Sequence, residues 1–175
     1  ITMLILVSGG SASGKSEFAE SLVTSSGLEN RIYLATMQVW DAESVRRVER
    51  HRQMRAGKGF ETVECPTGLA DIVLPPGCAV LLEDLSNLCA NEYFSPDGKD
   101  HALDRVLSGI RRAAEQAELL VVVTNELFSD GMDSDPVTLD YLSVLGELNR
   151  RVAALAGQVY EVVCGIPVAW KGERV

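Results

Sequence analysis

The sequence predicts an α/β fold: a mostly parallel sheet of roughly five to seven strands with flanking helices, forming a single domain over residues 1–175. Three observations predict it. A short apolar run at residues 3–8 leads directly into Gly9-Gly10-Ser11-Ala12-Ser13-Gly14-Lys15-Ser16, and a helical pattern follows. Further short apolar runs recur along the chain, separated by segments with helical periodicity. At 175 residues and 46% hydrophobic, the chain can bury one α/β core and is short for two.

The first element carries the clearest chemistry. The glycines of G-x-x-x-x-G-K-S let the backbone curl until successive N–H groups point at phosphate oxygens, and the helix start adds its positive dipole end. Gly9, Gly10, Ser11, Ala12, Ser13, Gly14, Lys15 and Ser16 are therefore read as a nucleotide-binding loop. Lys15 would reach the β- and γ-phosphates, and the Ser16 hydroxyl would be a Mg²⁺ ligand. The competing reading is a Gly/Ser turn without a ligand.

Gly27-Leu28-Glu29-Asn30 stops the first helix, and residues 31–35 read as a second strand. Thr36, Met37 and Gln38 follow at its C-terminal end, the edge where open parallel sheets bind ligands, so they are candidate nucleotide contacts. An ordinary loop explains them equally well. Residues 41–55 turn helical and strongly charged, with Asp41 as N-cap and Glu43 in the first turn. Six of the sixteen basic residues, Arg46, Arg47, Arg50, Arg52, Arg55 and Lys58, crowd in or beside this helix. Arg47, His51 and Arg55 fall on one helical face, where the cations are expected to keep the imidazole neutral and nucleophilic. A solvated basic face is the alternative. The apolar stripe of Val45, Val48 and Met54 is thin, so this helix is expected to be peripheral.

Residues 60–64 alternate as a strand, a short helical piece falls near Leu69, and Pro75-Pro76-Gly77 marks a loop. The next apolar run, residues 78–84, ends in Glu83 and Asp84, like a strand whose acidic end faces a nucleotide's Mg²⁺. Glu83 is the first choice as metal partner and Asp84 the second, since strand alternation points only one of them at the site. Helix N-cap duty is the other reading of this pair. Residues 85–94 and 102–117 read as helices, the second with Leu103, Val106, Leu107 and Ile110 inward. His101 precedes it in a capping or surface role. Residues 119–126 form the most strand-like run, residues 128–136 an acidic flap, and residues 139–156 a long helix with Leu142, Leu145, Leu148, Val152 and Leu155 on one face. A last strand at 159–164 is followed by a candidate edge hairpin at 166–171.

A net charge of -9 argues against nucleic acid as a partner, because its phosphates would be repelled at long range. No apolar run is long enough for a membrane span, and no signal-peptide pattern opens the chain, so a cytoplasmic location is expected. Cys65, Cys78, Cys89 and Cys164 are widely spaced and read as reduced structural thiols. Together these elements predict a P-loop NTPase-like sheet, which supports nucleotide binding without naming a reaction.

Several motifs in combination narrow the reaction. The sequence resembles the bifunctional adenosylcobinamide kinase/adenosylcobinamide-phosphate guanylyltransferase family of cobalamin biosynthesis over nearly its whole length. The resemblance rests on the loop from Gly9 to Ser16 and on Tyr33-Leu34-Ala35-Thr36. It also rests on Arg47-Val48-Glu49-Arg50-His51-Arg52 with Arg55, Thr62-Val63-Glu64, Leu81-Leu82-Glu83 with Asn91, and Val123-Thr124-Asn125-Glu126. Gly146 with Asn149, and Val162-Val163-Cys164-Gly165-Ile166-Pro167, complete it. The loop alone is generic; the histidine helix, T-N-E and G-I-P are far more specific together.

The resemblance implies two reactions at linked sites. ATP or GTP phosphorylates the aminopropanol hydroxyl of adenosylcobinamide. A histidine then attacks the α-phosphorus of GTP, expels pyrophosphate, and passes GMP to adenosylcobinamide phosphate. His51 matches that nucleophile, and Thr36, Gln38, Arg52, Arg55 and Glu64 match positions near the guanine nucleotide. A homotrimer is implied as well. The chain departs from the family at Leu127-Phe128-Ser129-Asp130-Gly131-Met132-Asp133, which replaces a Gly-rich segment. It departs again at Leu139, Leu142 and Ser143, where two arginines and an aspartate would fall, and at Phe60 in place of Trp. Lost cations and gained carboxylates there bear on corrinoid-phosphate contacts, or on one of the two activities, more than on nucleotide binding. A small-molecule kinase without guanylyltransferase activity and a non-catalytic nucleotide-binding protein remain the alternatives.

Overall fold

The computed structural model describes residues 2–125 and 135–172. Its elements in order are β1 (Met3–Gly9), α1 (Lys15–Thr24), β2 (Arg31–Ala35), α2 (Ala42–Arg55), β3 (Phe60–Glu64), a 3₁₀ turn (Leu69–Asp71), β4 (Ala79–Glu83) and α3 (Leu85–Tyr93). There follow α4 (Ala102–Gln116), β5 (Leu119–Asn125), α5 (Pro136–Leu155), β6 (Gln158–Val163) and β7 (Ile166–Lys171). The strands form one seven-stranded sheet in the order β3-β2-β4-β5-β1-β6-β7. All pairs are parallel except β6 with β7, which is the antiparallel edge hairpin.

Because strand side chains alternate between faces, the central strands feed two cores. Leu4, Leu6, Leu34, Val80, Leu82, Leu120 and Val122 face α3, α4 and α5, meeting Leu88, Ile110, Leu145, Leu148 and Val152. Ile5, Val7, Tyr33, Leu81, Val121 and Val123 face the other way, where Ala19 and Val23 of α1 cover them. Each fully buried leucine or valine contributes about 1.5–3 kcal/mol. The helix α2 lies outside both cores, and Arg55 is its one buried residue.

Several elements differ from the sequence pattern. The helix α5 starts three residues earlier than predicted, because Asp135 caps it by accepting from the Thr138 N–H at 2.7 Å and Pro136 fits its first turn. The remainder of the predicted flap, with the Leu127 to Asp133 departure, lies outside the described residues. Leu155 does not join the buried stripe; it is 43% exposed, and Ala156, one residue on, takes the buried position. Cys65, Cys78 and Cys89 are buried free thiols, with burial pushing Cys65 up to about 11 and Cys89 up to about 12. Cys164 is instead exposed, in the turn between β6 and β7. His101 sits at the N-cap position of α4 without a side-chain cap, and it is exposed.

Candidate active site

The parallel strands bring Gly9, Ala35, Glu83 and Asn125 to one edge of the sheet, although the sequence spreads them widely. A cavity of about 820 Å³ opens there. The loop between β1 and α1 forms one wall. Gly9 has no room for a side chain: a Cβ would lie 2.5 Å from Ser13 Oγ and 2.9 Å from the Val162 carbonyl. Gly14 adopts φ 92°, which carries the chain into α1. The loop closes on itself through Ser13 N–H to the Gly10 carbonyl, and Lys15 Nζ donates to that same carbonyl at 3.0 Å. Burial pushes the Lys15 ammonium below its ordinary value, against the pull of Asp84 and Glu83.

The arginine-rich helix α2 supplies the opposite wall, and Arg47, His51, Arg52 and Arg55 all line the cavity. The setting of His51 differs from the expected one. Its nearest charged partner is not an arginine but a carboxylate: His51 Nδ1 lies 3.0 Å from Glu83 Oε2. A carboxylate only accepts, so Nδ1 carries the proton and Nε2 is the nitrogen left free to react. The same Oε2 accepts from Tyr33 OH at 2.8 Å. Burial alone would raise the Glu83 carboxyl. The His51 hydrogen bond and charge, then Tyr33, outweigh it and hold Glu83 below its ordinary value. Glu83 Oε1 is buried without a hydrogen-bond partner.

Asp84 also reaches the cavity, contrary to the expectation that alternation admits only one of the pair. The strand ends at Glu83, so Asp84 is free of its alternation and serves as N-cap of α3, accepting from Asn87 N–H at 2.7 Å. Its other oxygen accepts from Asn125 Nδ2 at 2.9 Å. Burial pushes its carboxyl up, and the Glu83 charge adds to that. With both Asp84 oxygens engaged and Glu83 Oε1 unpartnered, Glu83 is the better candidate for a metal contact. Among the described residues no group of three or more acidic, cysteine or histidine side chains could hold a metal unaided.

Of the other predicted contacts, Ser11, Ala12, Ser13, Gly14, Ser16, Met37 and Glu64 line the cavity, whereas Gly9, Gly10, Thr36 and Gln38 do not. Thr36 is fully buried; its hydroxyl donates to the Glu83 and Asp84 carbonyls and accepts the Asp84 N–H, so it fixes the acidic strand end instead of facing ligand. Tyr33, Asn87 and Asn125 line the cavity without having been singled out as site residues. Tyr33 and Asn125 belong to the Tyr33-Leu34-Ala35-Thr36 and Val123-Thr124-Asn125-Glu126 motifs, which is the signal the sequence offers for them.

The family model for cobinamide kinase / cobinamide phosphate guanyltransferase matches residues 5–170. The chain belongs to that family. It is 31% identical to the bifunctional adenosylcobalamin biosynthesis protein CobU of Salmonella typhimurium and 33% identical to that of Escherichia coli, in each case over 97% of this chain and 100% of the relative. It is 30% identical to the protein CobP of Pseudomonas aeruginosa, over 96% of this chain and 97% of the relative. Among solved structures it resembles a prototypical ATPase from the type III secretion system of pathogenic bacteria (TM-score 0.58, 9% identity, covering 95% of this chain and 56% of the other). It also resembles the flagellar accessory protein FlaH of Methanocaldococcus jannaschii (TM-score 0.50, 12% identity, covering 98% and 79%). At such identities the likeness concerns the fold alone, and it is that of P-loop ATPases.

The motifs of this cobinamide kinase / guanyltransferase family member have visible structural work. Asn91 Nδ2 donates to the Thr36 and Pro66 carbonyls, tying α3 to the ends of β2 and β3. Thr124 bonds Asn149 of α5 at 2.9 Å, and Asn125 holds Asp84; Glu126 lies outside the described residues. Gly165 N–H donates to the Ser13 carbonyl at 2.7 Å, buttressing the phosphate loop from the β6–β7 turn.

Proposed function

We propose that this protein is an adenosylcobinamide kinase and adenosylcobinamide-phosphate guanylyltransferase that transfers GMP through a guanylylated His51. The observation that carries the reading is the placement of His51, with Nδ1 held 3.0 Å from Glu83, in the same cavity as the phosphate loop. Family membership and near-complete alignment with relatives named as bifunctional adenosylcobalamin biosynthesis proteins support both activities. The same reading extends to a cytoplasmic homotrimer, which rests on the family resemblance alone.

In the guanylyl step, the His51 Nε2 lone pair attacks the α-phosphorus of GTP. A P–N bond forms, the bond to the β-phosphate oxygen breaks, and pyrophosphate leaves. Glu83 holds the proton of the neutral imidazole on Nδ1, which directs Nε2 at the phosphorus, and Arg52 and Arg55 face the charge that develops. A phosphate oxygen of adenosylcobinamide phosphate then displaces His51, giving adenosylcobinamide-GDP. In the kinase step, the loop N–H groups and Lys15 orient ATP or GTP so that the aminopropanol hydroxyl takes the γ-phosphoryl group. Ser16 and Glu83 Oε1 would hold Mg²⁺, which when bound neutralises charge on the phosphate oxygens.

Incubation with GTP labelled at the α-phosphate, with Mg²⁺, is expected to leave an acid-labile, base-stable label on the protein that His51→Ala abolishes. Folded, unlabelled wild-type protein would sink the guanylyl half. Transfer of the γ-phosphoryl group that survives His51→Ala without any label would identify a kinase alone.

A further inference from the structure

Tyr33 lies in the smaller core and is 5% exposed, yet its ring meets Arg55 of α2 directly and its hydroxyl reaches His51 of α2 through Glu83. Its hydroxyl donates to Glu83 Oε2 at 2.8 Å, the oxygen that faces His51 Nδ1 at 3.0 Å. Its ring carries the Arg55 guanidinium, whose carbon is 3.3 Å from the ring centre. Arg55 Nη2 also reaches Thr62 Oγ1 at 3.5 Å, and Phe60 meets the Tyr33 ring edge-on. A phenylalanine would fill the same apolar space against Phe60 without burying a hydroxyl, so packing alone does not account for the phenol.

The helix α2 cannot position His51 by apolar packing, since Arg55 is its one buried residue. Polar contacts must therefore set the imidazole. Of these, the Glu83 carboxylate acts on His51 directly, and the Tyr33 hydroxyl is a second donor on the same oxygen that faces the imidazole. We propose that Tyr33 is a positioning residue for guanylyl transfer: its hydroxyl fixes the Glu83 carboxylate against His51, and its ring seats Arg55, so that one strand residue sets both side chains. This rests on the reading of His51 as the nucleophile.

Tyr33→Phe separates the two ends, because it keeps the ring under Arg55 and removes the donor. The chain has two histidines, so ¹⁵N spectra of the imidazoles report His51 with His101 as internal control. At about pH 9, wild-type His51 is expected as the Nδ1–H tautomer, and Tyr33→Phe is expected to mix the tautomers while His101 stays unchanged. The rate of labelling by α-labelled GTP should fall about tenfold or more, with GTP affinity held within about twofold. Tyr33→Leu, which also removes the ring, should add a rise in KM for GTP. An unchanged His51 signal in Tyr33→Phe overturns the proposal. So does a loss of GTP affinity as large as the loss of rate, which would mark a merely structural tyrosine. Absence of label on the wild-type protein would overturn guanylyl transfer itself, and Tyr33 would then be judged on the His51 signal alone.

Discussion

Glu20 is a charged residue placed where burial opposes its charge. It is 4% exposed on α1, its Oε2 lies 3.6 Å from the half-exposed Lys58 ammonium, and its Oε1 has no hydrogen-bond partner. Burial raises its carboxyl pKa, Lys58 opposes this, and the Glu83 charge reinforces it. A folded-state value above the unfolded one means the folded protein binds this proton more readily. The contribution of Glu20 to stability is therefore fullest below the ordinary carboxylate range and is lost as pH rises through the raised value. Glu20→Gln keeps the shape and removes the titration. Its Tm at pH 8 is expected to exceed wild type by about 2 °C or more, with the gain vanishing in melts below about pH 4. A lower Tm at pH 8 would mean that the Lys58 pair outweighs burial. Nothing in the sequence flagged this residue. Glu20 stands four residues after Ser16 and shares its helical face, but the helical pattern alone leaves open which neighbours cover that face. Thr36 shows the same limit in reverse, since its position at a strand end is legible while its inward hydroxyl is not.

At the scale of elements, α2 stands apart from the other long helices. The helix α4 buries Val106, Leu107 and Ile110, whereas α2 is held by His51 to Glu83 and Arg55 to Tyr33, and the turn after it by Lys58 to Glu20 and Arg31 Nη1 to the Lys58 carbonyl at 2.6 Å. Such an element opens locally at lower cost than the core. Hydrogen exchange is expected to show α2 amides far less protected than those of β4 and β5, with GTP and Mg²⁺ slowing α2 exchange about tenfold or more. Protection of α2 equal to that of α4 in the free protein would contradict this. The bounds of α2 were legible because Asp41 caps it, accepting from the Ser44 N–H, and so was the charged face that it turns to the cavity. Its partner Glu83 was not, because a contact between a helix and a distant strand end leaves no periodic trace in either segment.

For the molecule as a whole, the strands were legible as apolar runs bounded by turn residues, and the phosphate loop fixed which sheet edge carries the site. The order β3-β2-β4-β5-β1-β6-β7 was not, since parallel crossovers, unlike hairpins, do not require sequential strands to pair. That order inserts β5 between β1 and β4, and so sets Asn125 between the loop and Glu83. The consequence is a set of charges assembled by folding and absent as a set from the unfolded chain: Lys15 lowered by burial, Asp84 raised by it, and Glu83 with an unpartnered oxygen. A ligand that compensates these groups binds the folded state alone and stabilises it by mass action. At a hundred times its Kd, GTP with Mg²⁺ would contribute about 2.7 kcal/mol, which for a chain of this size is a rise of about 5–10 °C in Tm. The rise should shrink when Mg²⁺ is withheld, because Glu83 then repels the triphosphate uncompensated. In Lys15→Met the ligand-induced rise should disappear while the ligand-free Tm holds or increases, since burial disfavours that ammonium. A ligand-free Lys15→Met protein that melts well below wild type would show that the lysine holds the loop together, and the assembled charges would then be structural instead of poised for a nucleotide.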